Sequence, residues 1–269
     1  MKSIILIVAF VVYAVADDNA TQEAVVVPSV NYTRSPMRIV GGSPALSHQF
    51  PWQASVTSCS GRTCSLCGGS LITRKHVLTA AHCTRGLSSF TIGLGSNRRN
   101  QPAVSVVAKS KKEHPNYNPQ SLANDVSIIT LLTSVNLNNQ VKLIALATSG
   151  IGTLANHEAF VSGYGKTSDS SGPSITLNYL TMKIIDNYSC SRVYGPQVQS
   201  STLCAVGKAS VNKNVCSGDS GGPLVIKQNG NYVQVGVVSY VAAVGCSAGY
   251  PSGYARVSSF RTWIDQNTN

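Results

Sequence analysis

The chain has 269 residues, of which 43% are hydrophobic, and it carries a formal net charge of +11. This length allows one large unit or two compact halves, and the hydrophobic content supports a folded core, which excludes a disordered chain. The positive charge could attract a polyanion, but no aromatic-interleaved nucleic-acid motif accompanies it. We therefore interpret it as a solvated basic face and expect no nucleic-acid partner.

The first sixteen residues have the pattern of a secretory signal. Lys2 is followed by the apolar run Ile4–Val15, and Ala14-Val15-Ala16 is a small-residue cleavage pattern. Residues 1–16 therefore predict a secreted, extracellular protein. The run is too short for a comfortable membrane span, and no later segment is long and apolar enough to cross a bilayer. We expect no membrane association.

Short apolar or alternating runs recur from Gln53 onward, between turns rich in Gly, Ser and Asn. Many short strands of this kind predict an all-β fold. Near the end of the chain, Phe260, Trp263 and Ile264 have helical spacing, which predicts a C-terminal α-helix. The predicted strands lie at Cys67–Ile72, Val77–Ala80, Phe90–Leu94, Ala103–Ala108, Val126–Leu132, Glu158–Ser162, Leu180–Ile185, Pro223–Ile226, Tyr232–Val238 and Gly253–Val257.

Eight cysteines are spread along the chain. An even number behind a secretory signal predicts a disulfide framework, as in other exported proteins. Spacing alone leaves the pairing open, because eight cysteines allow many connectivities. The positions are Cys59, Cys64, Cys67, Cys83, Cys190, Cys204, Cys216 and Cys246.

Three motifs carry residue types suited to nucleophilic catalysis. The run Leu-Thr-Ala-Ala-His-Cys places His82 as a candidate base, and the run Asn-Asp-Val-Ser places Asp125 to orient that base. The run Cys-Ser-Gly-Asp-Ser-Gly-Gly-Pro places Ser220 between glycines, which let the backbone bend tightly. A serine hydroxyl needs a base to take its proton and donors to hold the oxyanion formed on the substrate. We therefore predict that the three side chains act together.

Each of these residues alone could be an ordinary turn or core residue, but the order His, Asp, Ser at wide spacings is that of chymotrypsin. Over residues 39–269 the chain closely resembles the chymotrypsin-like secreted serine proteases, and among them the arthropod gut chymotrypsins, elastases and collagenolytic enzymes. This resemblance implies two packed six-stranded antiparallel β-barrels with a boundary near residues 133–153. His82 and Asp125 then come from the first barrel and Ser220 from the second, with the active site between them.

The resemblance also assigns the catalytic roles. Ser220 would attack the scissile carbonyl, and His82 would take its proton and return it to the leaving amine. Asp125 would fix the imidazole tautomer and stabilise the imidazolium. The backbone amides of Gly218 and Ser220 would hold the oxyanion.

Further matches with the family concern substrate binding. Ser239 matches the serine that contacts the triad aspartate, and Ser239-Tyr240-Val241 would pair with an extended substrate backbone. By alignment, Asn214 lies at the base of the primary specificity pocket, and Val241 and Ser252 lie on its walls. Trypsin-like enzymes carry an aspartate at the base, whereas the neutral Asn214 would leave a buried cation without a full counter-charge. We therefore expect chymotrypsin- or elastase-like specificity for uncharged side chains.

The segment before the protease domain looks like an activation propeptide. Residues 17–38 are polar with scattered valines, and their last residue, Arg38, directly precedes Ile39-Val40-Gly41-Gly42. In the family, cleavage at this place frees an ammonium that inserts beside the aspartate preceding the nucleophile, here Asp219. The resemblance therefore implies a zymogen that a trypsin-like protease cuts between Arg38 and Ile39.

The resemblance pairs six of the cysteines, as Cys67–Cys83, Cys190–Cys204 and Cys216–Cys246. That leaves Cys59 and Cys64, for which a local bridge within one short loop is the economical assignment. Zinc ligation by Cys59, Cys64 and Cys67 is the alternative, disfavoured because the bridge beside His82 uses Cys67. We expect no metal or other cofactor, since Gly93–Ala108, the counterpart of a calcium loop in some relatives, has no carboxylate.

The sequence thus predicts a secreted serine endopeptidase made as a zymogen. The expected partners are protein or peptide substrates, the activating protease and protein protease inhibitors, and we expect a monomer. One alternative is a non-catalytic polyanion- or protein-binding module on the same fold, although such proteins usually lose a triad residue. Another is a trypsin-like processing enzyme of a clotting or immune cascade, which the lack of a long extra domain before Arg38 disfavours.

Overall fold

The computed structural model describes residues 39–60 and 63–268. The predicted secretory signal, the predicted propeptide and Arg38 lie outside these residues. Within the described ranges, no helix combines the length and the apolar character that a bilayer crossing requires. The strands of this part are β1 (Ser43–Pro44), β2 (Gln53–Ser60), β3 (Thr63–Thr73), β4 (His76–Thr79), β5 (Phe90–Leu94), β6 (Val104–Ala108), β7 (Ser110–Glu113), β8 (Ser127–Thr130), β9 (Ala145–Leu146), β10 (Glu158–Gly163), β11 (Asn178–Ile185), β12 (Thr202–Gly207), β13 (Pro223–Gln228), β14 (Asn231–Tyr240) and β15 (Ser252–Arg256).

Seven strands form one antiparallel sheet, in the order β6-β5-β2-β3-β4-β8-β7. At one edge β6 pairs with β5, from Phe90 opposite Ala108 to Leu94 opposite Val104, and at the other edge β7 pairs with β8. Only Lys109 separates β6 from β7. This continuous segment therefore joins the two edges and closes the sheet into a six-stranded barrel.

The second sheet follows the order β11-β10-β13-β14-β15-β12, and β12 pairs back with β11 from Met182 opposite Gly207 to Ile185 opposite Cys204. This pairing closes a second six-stranded antiparallel barrel. Outside it, β1 pairs with β11, and β9 pairs in parallel with β14. The predicted all-β fold is confirmed, with one six-stranded barrel closed by strand pairing and a seven-stranded sheet whose edges are joined by the β6–β7 segment.

Two α-helices accompany the barrels in the described part. The C-terminal helix predicted from its spacing is α2 (Val257–Gln266), which buries Phe260 and Ile264 in the core. The sequence pattern did not predict α1 (Asn187–Tyr194). This helix begins after Asp186, whose carboxylate accepts a hydrogen bond from the amide of Ser189 at 2.8 Å, a typical N-cap contact.

Two buried hydrogen bonds connect the barrels. The hydroxyl of Ser162 on β10 donates to the side-chain oxygen of Gln53 on β2 at 2.7 Å. The hydroxyl of Ser70 on β3 donates to the side-chain oxygen of Gln234 on β14 at 2.6 Å. All four residues are buried. Since a buried polar group without a partner is costly, these pairs favour a single placement of one barrel against the other.

All eight cysteines are paired in the structure. One bridge ties β3 to a 3-10 turn over Ala81–Cys83, and another ties α1 to β12. A third joins the loop before β13 to the loop after β14, and the fourth lies between adjacent residues of β2 and β3. The bonds are Cys67–Cys83, Cys190–Cys204, Cys216–Cys246 and Cys59–Cys64.

Candidate active site

His82 and Asp125 lie in contact on the first barrel. His82 is in the 3-10 turn that follows β4, and Asp125 precedes β8, which pairs with β4. His82 Nδ1 lies 2.8 Å from Asp125 Oδ2, and the backbone amide of His82 donates to Oδ1 at 2.9 Å. The Asp125 side chain is 1% exposed, whereas that of His82 is 28% exposed. The carboxylate is therefore shielded from water while the imidazole remains accessible.

A residue of the second barrel completes the environment of this carboxylate. Ser239, near the end of β14, donates its hydroxyl to Asp125 Oδ2 at 2.6 Å. Asp125 thus accepts from a backbone amide, an imidazole and a hydroxyl. Hydrogen bonds to a charged group are stronger than neutral ones, so this set fixes the orientation of the carboxylate and, through it, of the His82 ring.

Ser220 lies on the loop that enters β13. Its carbonyl accepts a hydrogen bond from the amide of Gly68 at 2.7 Å and contacts Cys83 Sγ at 3.5 Å. Cys83 is the chain neighbour of His82, so the nucleophile candidate lies beside the base candidate. Within the described residues no hydrogen bond joins the Ser220 hydroxyl to His82. Such bonds are often long or misaligned before substrate binds.

The loop before Ser220 presents two backbone amides without acceptors. Gly218 has a φ of +98°, and a Cβ there would lie 3.0 Å from the α-carbon of Gly165, so only glycine fits. Among the described residues no acceptor receives a hydrogen bond from the amides of Gly218 and Ser220. Two free amides flanking one residue can hold the oxygen of a tetrahedral intermediate.

Between these amides, Asp219 is completely buried. Its carboxylate accepts from the amide of Gly165 at 2.8 Å and from the amide of Cys216 at 2.9 Å. Burial raises the pKa of Asp219 to about 7, although both amides act to lower it. Within the described ranges, no basic side chain forms a salt bridge with this carboxylate. Among the described residues, Asp219 is therefore a buried acid without a cationic partner.

Ile39 is buried in the hydrophobic core, and the residues after it lie against the chain segment that leads to Asp219. The carbonyl of Val40 accepts from the amide of Asn214 at 3.3 Å. Gly41 has a φ of +74°, and a Cβ there would lie 2.6 Å from Cγ of Lys213. The start of the predicted mature chain is thus packed against the second barrel.

The side chains predicted to form the specificity pocket are neutral and hydrogen-bonded. Asn214 is 2% exposed; its Nδ2 donates to the carbonyl of Tyr250 and its Oδ1 accepts from the amide of Val215, both at 2.9 Å. Ser252 is fully buried and contacts the hydroxyl of Tyr254 at 2.8 Å. Val241 is half-buried. None of the three predicted pocket residues brings a negative charge.

Tyr240, at the end of β14, lies with its ring directly over Gly253 on β15. A Cβ at Gly253 would lie 2.1 Å from Cζ of Tyr240. The ring also packs edge-on against Tyr194, with centroids 5.2 Å apart. Burial raises the pKa of Tyr240. The aromatic ring is therefore held in place beside the residues predicted to bind substrate.

Sequence reasoning missed two features of this site. Tyr117 lies near the carboxylate of Asp125, and burial together with that negative charge raises the pKa of Tyr117 to about 12; no sequence pattern marked it. Gly163 and Gly165 leave room for Asp219, because a Cβ on either would lie within 2.4 Å of its carboxylate. The Gly-Tyr-Gly run was a signal of this close approach that could have been used.

The zinc alternative does not fit the observed cysteines. Two groups of metal-ligating side chains come together in the described part of the chain, Cys67 with His82 and Cys83, and Asp169 with Cys216 and Cys246. The three cysteines of the zinc alternative, Cys59, Cys64 and Cys67, are all in disulfides, as is every cysteine in these two groups. Zinc binds the cysteine thiolate, and a disulfide sulfur does not supply one.

Comparisons with known proteins agree on one family. The sequence model of the family described as Trypsin matches residues 39–264. Trypsin alpha-4 of Lucilia cuprina is 37% identical over 84% of this chain and 86% of its own, and Trypsin beta of Drosophila erecta is 37% identical over 86% and 88%. A solved structure described as HL collagenase has a TM-score of 0.79 and 34% identity, covering 86% of this chain and 98% of that one.

Proposed function

Since this chain belongs to the trypsin family and is a serine endopeptidase, we propose that Ser220, His82 and Asp125 are its catalytic triad. The observation that carries this proposal is the hydrogen-bonded chain from Ser239 through Asp125 to His82. It lies beside Ser220 and the free backbone amides of Gly218 and Ser220. A positioned base and a preorganised oxyanion site are what a serine nucleophile needs.

The reaction follows from this geometry. His82 takes the proton of the Ser220 hydroxyl as its oxygen bonds to the scissile carbonyl carbon, and Asp125 stabilises the imidazolium that forms. The amides of Gly218 and Ser220 hold the carbonyl oxygen as it becomes negative, and losing one such donor typically costs roughly 3–4 kcal/mol. His82 then protonates the leaving amine, and water releases the acyl group by the same steps.

The buried acid next to the nucleophile supports a zymogen. Cleavage between Arg38 and Ile39 creates an ammonium at Ile39, the one cation the predicted processing adds. Ion pairing with it lowers the pKa of the Asp219 carboxyl, which burial alone raises. Since Asp219 lies between the two oxyanion amides, its ionisation state and its position determine whether those amides point at the substrate. The secretory signal predicted at residues 1–16 supports activation outside the cell.

We infer further that the enzyme prefers uncharged side chains before the scissile bond. The curated relatives named above are trypsins, but both polar ends of Asn214 are already used by the Tyr250 carbonyl and the Val215 amide. A buried arginine or lysine would find no carboxylate at Asn214, Val241 or Ser252. Burying a charge without its partner is strongly unfavourable, so chymotrypsin- or elastase-like substrates fit better.

Active-site titration tests the catalytic proposal against the non-catalytic alternative. A fluorophosphonate reacts with a serine only where a base and an oxyanion site activate it. After cleavage with trypsin and removal of the trypsin, we expect one equivalent of probe on Ser220, located by peptide mass spectrometry. Labelling of another serine, or of none in a chain that begins at Ile39, would contradict the assignment.

A further inference from the structure

We propose that two buried hydroxyls behind the triad, those of Thr84 and Ser127, act as positioning residues for catalysis. This hydroxyl pair forms a second link between the chain segments that carry His82 and Asp125. The inference rests on the proposed catalytic function of Ser220 and these two residues. It assigns a part in turnover to side chains that lie outside the proposed triad.

The hydroxyl pair lies just beyond the two triad residues of the first barrel. Thr84 is two residues after His82, at the end of the 3-10 turn over Ala81–Cys83. Ser127 is two residues after Asp125 and is the first residue of β8. Thr84 Oγ1 lies 2.9 Å from Ser127 Oγ. The two segments are therefore joined twice, once through the triad and once through these hydroxyls.

Strand β7 holds the hydroxyl pair from a third side. Thr84 Oγ1 lies 3.1 Å from Oε1 of Glu113, which faces Ser127 across β7 and β8. The ammonium of Lys111 donates both to the Glu113 carboxylate and to the backbone carbonyl of Thr84. Hydrogen bonds to charged groups are stronger than neutral ones. Thr84 is thus held at its side chain and at its carbonyl, directly behind the turn that carries His82.

Burial indicates what the hydroxyl pair contributes. Thr84 and Ser127 are completely buried, and their chain neighbours Cys83, Val126 and Ile128 belong to the hydrophobic core. Replacing two bonded polar groups by apolar groups of the same shape can leave stability nearly unchanged. A hydroxyl differs from a methyl group in direction, because it has one hydrogen and two lone pairs to place. The pair therefore fixes where the turn lies against β8 more than it stabilises the fold.

The position of this turn matters for proton transfer. His82 Nδ1 lies 2.8 Å from Asp125 Oδ2, and in the proposed reaction the same ring must take the proton of Ser220. A displacement of about 1 Å in such a group can cost roughly a hundredfold in rate. Loss of the hydroxyl pair should therefore slow the chemical step, whereas the specificity pocket on the second barrel, and with it substrate binding, should be unaffected.

The test separates positioning from stability with two substitutions at Thr84. Thr84→Val keeps the shape of the side chain and removes the hydroxyl, whereas Thr84→Ser keeps the hydroxyl and removes a methyl group. The enzyme is activated at Ile39, and its active sites are counted with a fluorophosphonate. We then measure kcat per titrated site, KM for a short peptide and the melting temperature.

For Thr84→Val we expect kcat per titrated site to fall about fivefold, the effect of one typical hydrogen bond, with KM unchanged. Thr84→Ser should keep the parental kcat, although its melting temperature should fall, because removing a buried methyl group costs stability. Activity and stability should thus rank these two variants in opposite order. A purely structural role would make Thr84→Ser the more harmful change in both.

A second pair of variants tests whether the two hydroxyls act as one link. Ser127→Ala should lower kcat to the same extent as Thr84→Val, and the double variant should lower it no further, since both changes remove the same contact. Ser58→Ala is the matched control and should keep kcat. It changes a buried serine of β2 whose hydroxyl donates to the carbonyl of Ser89 at 2.8 Å.

An unchanged kcat in Thr84→Val would overturn the inference. So would equal losses of kcat in Thr84→Val and Thr84→Ser, or a double variant whose loss is the product of the two single losses. If the fluorophosphonate does not label Ser220 in the parent enzyme, the proposed function itself fails. That result differs from a fully titrated variant with an unchanged kcat.

Discussion

The hydroxyl of Ser239 donates to Oδ2 of Asp125 at 2.6 Å, the same oxygen that His82 Nδ1 reaches at 2.8 Å. Ser239 belongs to the second barrel and Asp125 to the first. The carboxylate that orients the proposed catalytic base is therefore itself oriented from the other barrel. The position of one barrel relative to the other is thus part of the proposed catalytic geometry.

Removing this hydroxyl should impair turnover more than binding. For Ser239→Ala we expect kcat to fall about tenfold, because one hydrogen bond to a charged acceptor is worth roughly 1.5–3 kcal/mol and water replaces part of it. KM for a short peptide should change little. Ser55→Ala, a change at a buried serine elsewhere in the first barrel, is the control and should keep kcat. An unchanged kcat for Ser239→Ala would contradict the positioning role.

Ser220→Ala should give a folded protein without peptidase activity. The change removes one small oxygen and leaves the Gly68 amide bonded to the residue's carbonyl, so the melting temperature should move little. Hydrolysis of a peptide ester and thermal unfolding are measured side by side. Ser170→Ala, at an exposed serine, should behave like the parent. More than a trace of activity in Ser220→Ala would show that another residue is the nucleophile.

The precursor should be inactive until the bond between Arg38 and Ile39 is cut. Trypsin treatment should produce activity in step with a new amino terminus at Ile39, read by amino-terminal sequencing. Arg38→Gln should block both, whereas Arg34→Gln should block neither. Activity in a form that begins at Asp17 would contradict this activation scheme.

Asp219 gives the uncleaved chain a characteristic pH dependence of stability. Burial raises its pKa from 3.8 to about 7 in the folded chain, so the unfolded chain loses this proton first as pH rises. The unfolded state then binds fewer protons than the native state, and stability falls between about pH 4 and pH 7. Asp219→Asn removes this loss. Relative to the parent, the variant precursor should therefore gain melting temperature between pH 4 and pH 8.

This experiment uses the Ser220→Ala background to prevent self-digestion. The quantity compared is the difference in melting temperature between the Asp219→Asn variant and its parent at each pH. After cleavage at Ile39 the sign should reverse at pH 8, because the parent then contains an ion pair that the variant lacks. A difference that does not change with pH in the precursor would show that Asp219 already has a cationic partner.

Substrate preference should exclude basic residues before the scissile bond. Matched peptides with Ala, Leu, Phe or Arg at this position are compared by kcat/KM. We expect the Arg peptide to be the poorest, since Asn214 is neutral and its polar atoms are already bonded. Phe above Leu and Ala would indicate chymotrypsin-like specificity, and the reverse would indicate elastase-like specificity. An Arg peptide cleaved best would refute the proposed pocket.

Much of the fold was predictable because its strands are apolar and short. All ten predicted strands overlap observed ones, and Phe90–Leu94 matches β5 at both ends. By contrast, β7 reads Ser-Lys-Lys-Glu, and no hydrophobic pattern marks it. It is a strand because β8 pairs with it and Lys109 continues it from β6. That information is tertiary and is not present in the local sequence.

The candidate active site, like the fold, was predictable only in part from the sequence. The order of the motifs predicted that His82 and Asp125 act together, and the structure places them in contact. The partners of Asn214 were not predictable, because the Tyr250 carbonyl lies 36 residues away in sequence and has no side-chain signature. Backbone acceptors of this kind become visible only in three dimensions.

The β6–β7 segment, which closes the first barrel through Lys109, also resists proteolytic cleavage. The proposed activator is a protease that cuts after basic residues, and this chain contains many Lys and Arg residues besides Arg38. A protease must bind the segment it cuts in extended, unpaired form. The segment that contains Lys109, Lys111 and Lys112 is hydrogen-bonded first to β5 and then to β8. It therefore cannot take the extended, unpaired form that another protease would bind. The segment that closes the barrel thereby protects three lysines from cleavage by the proposed activator.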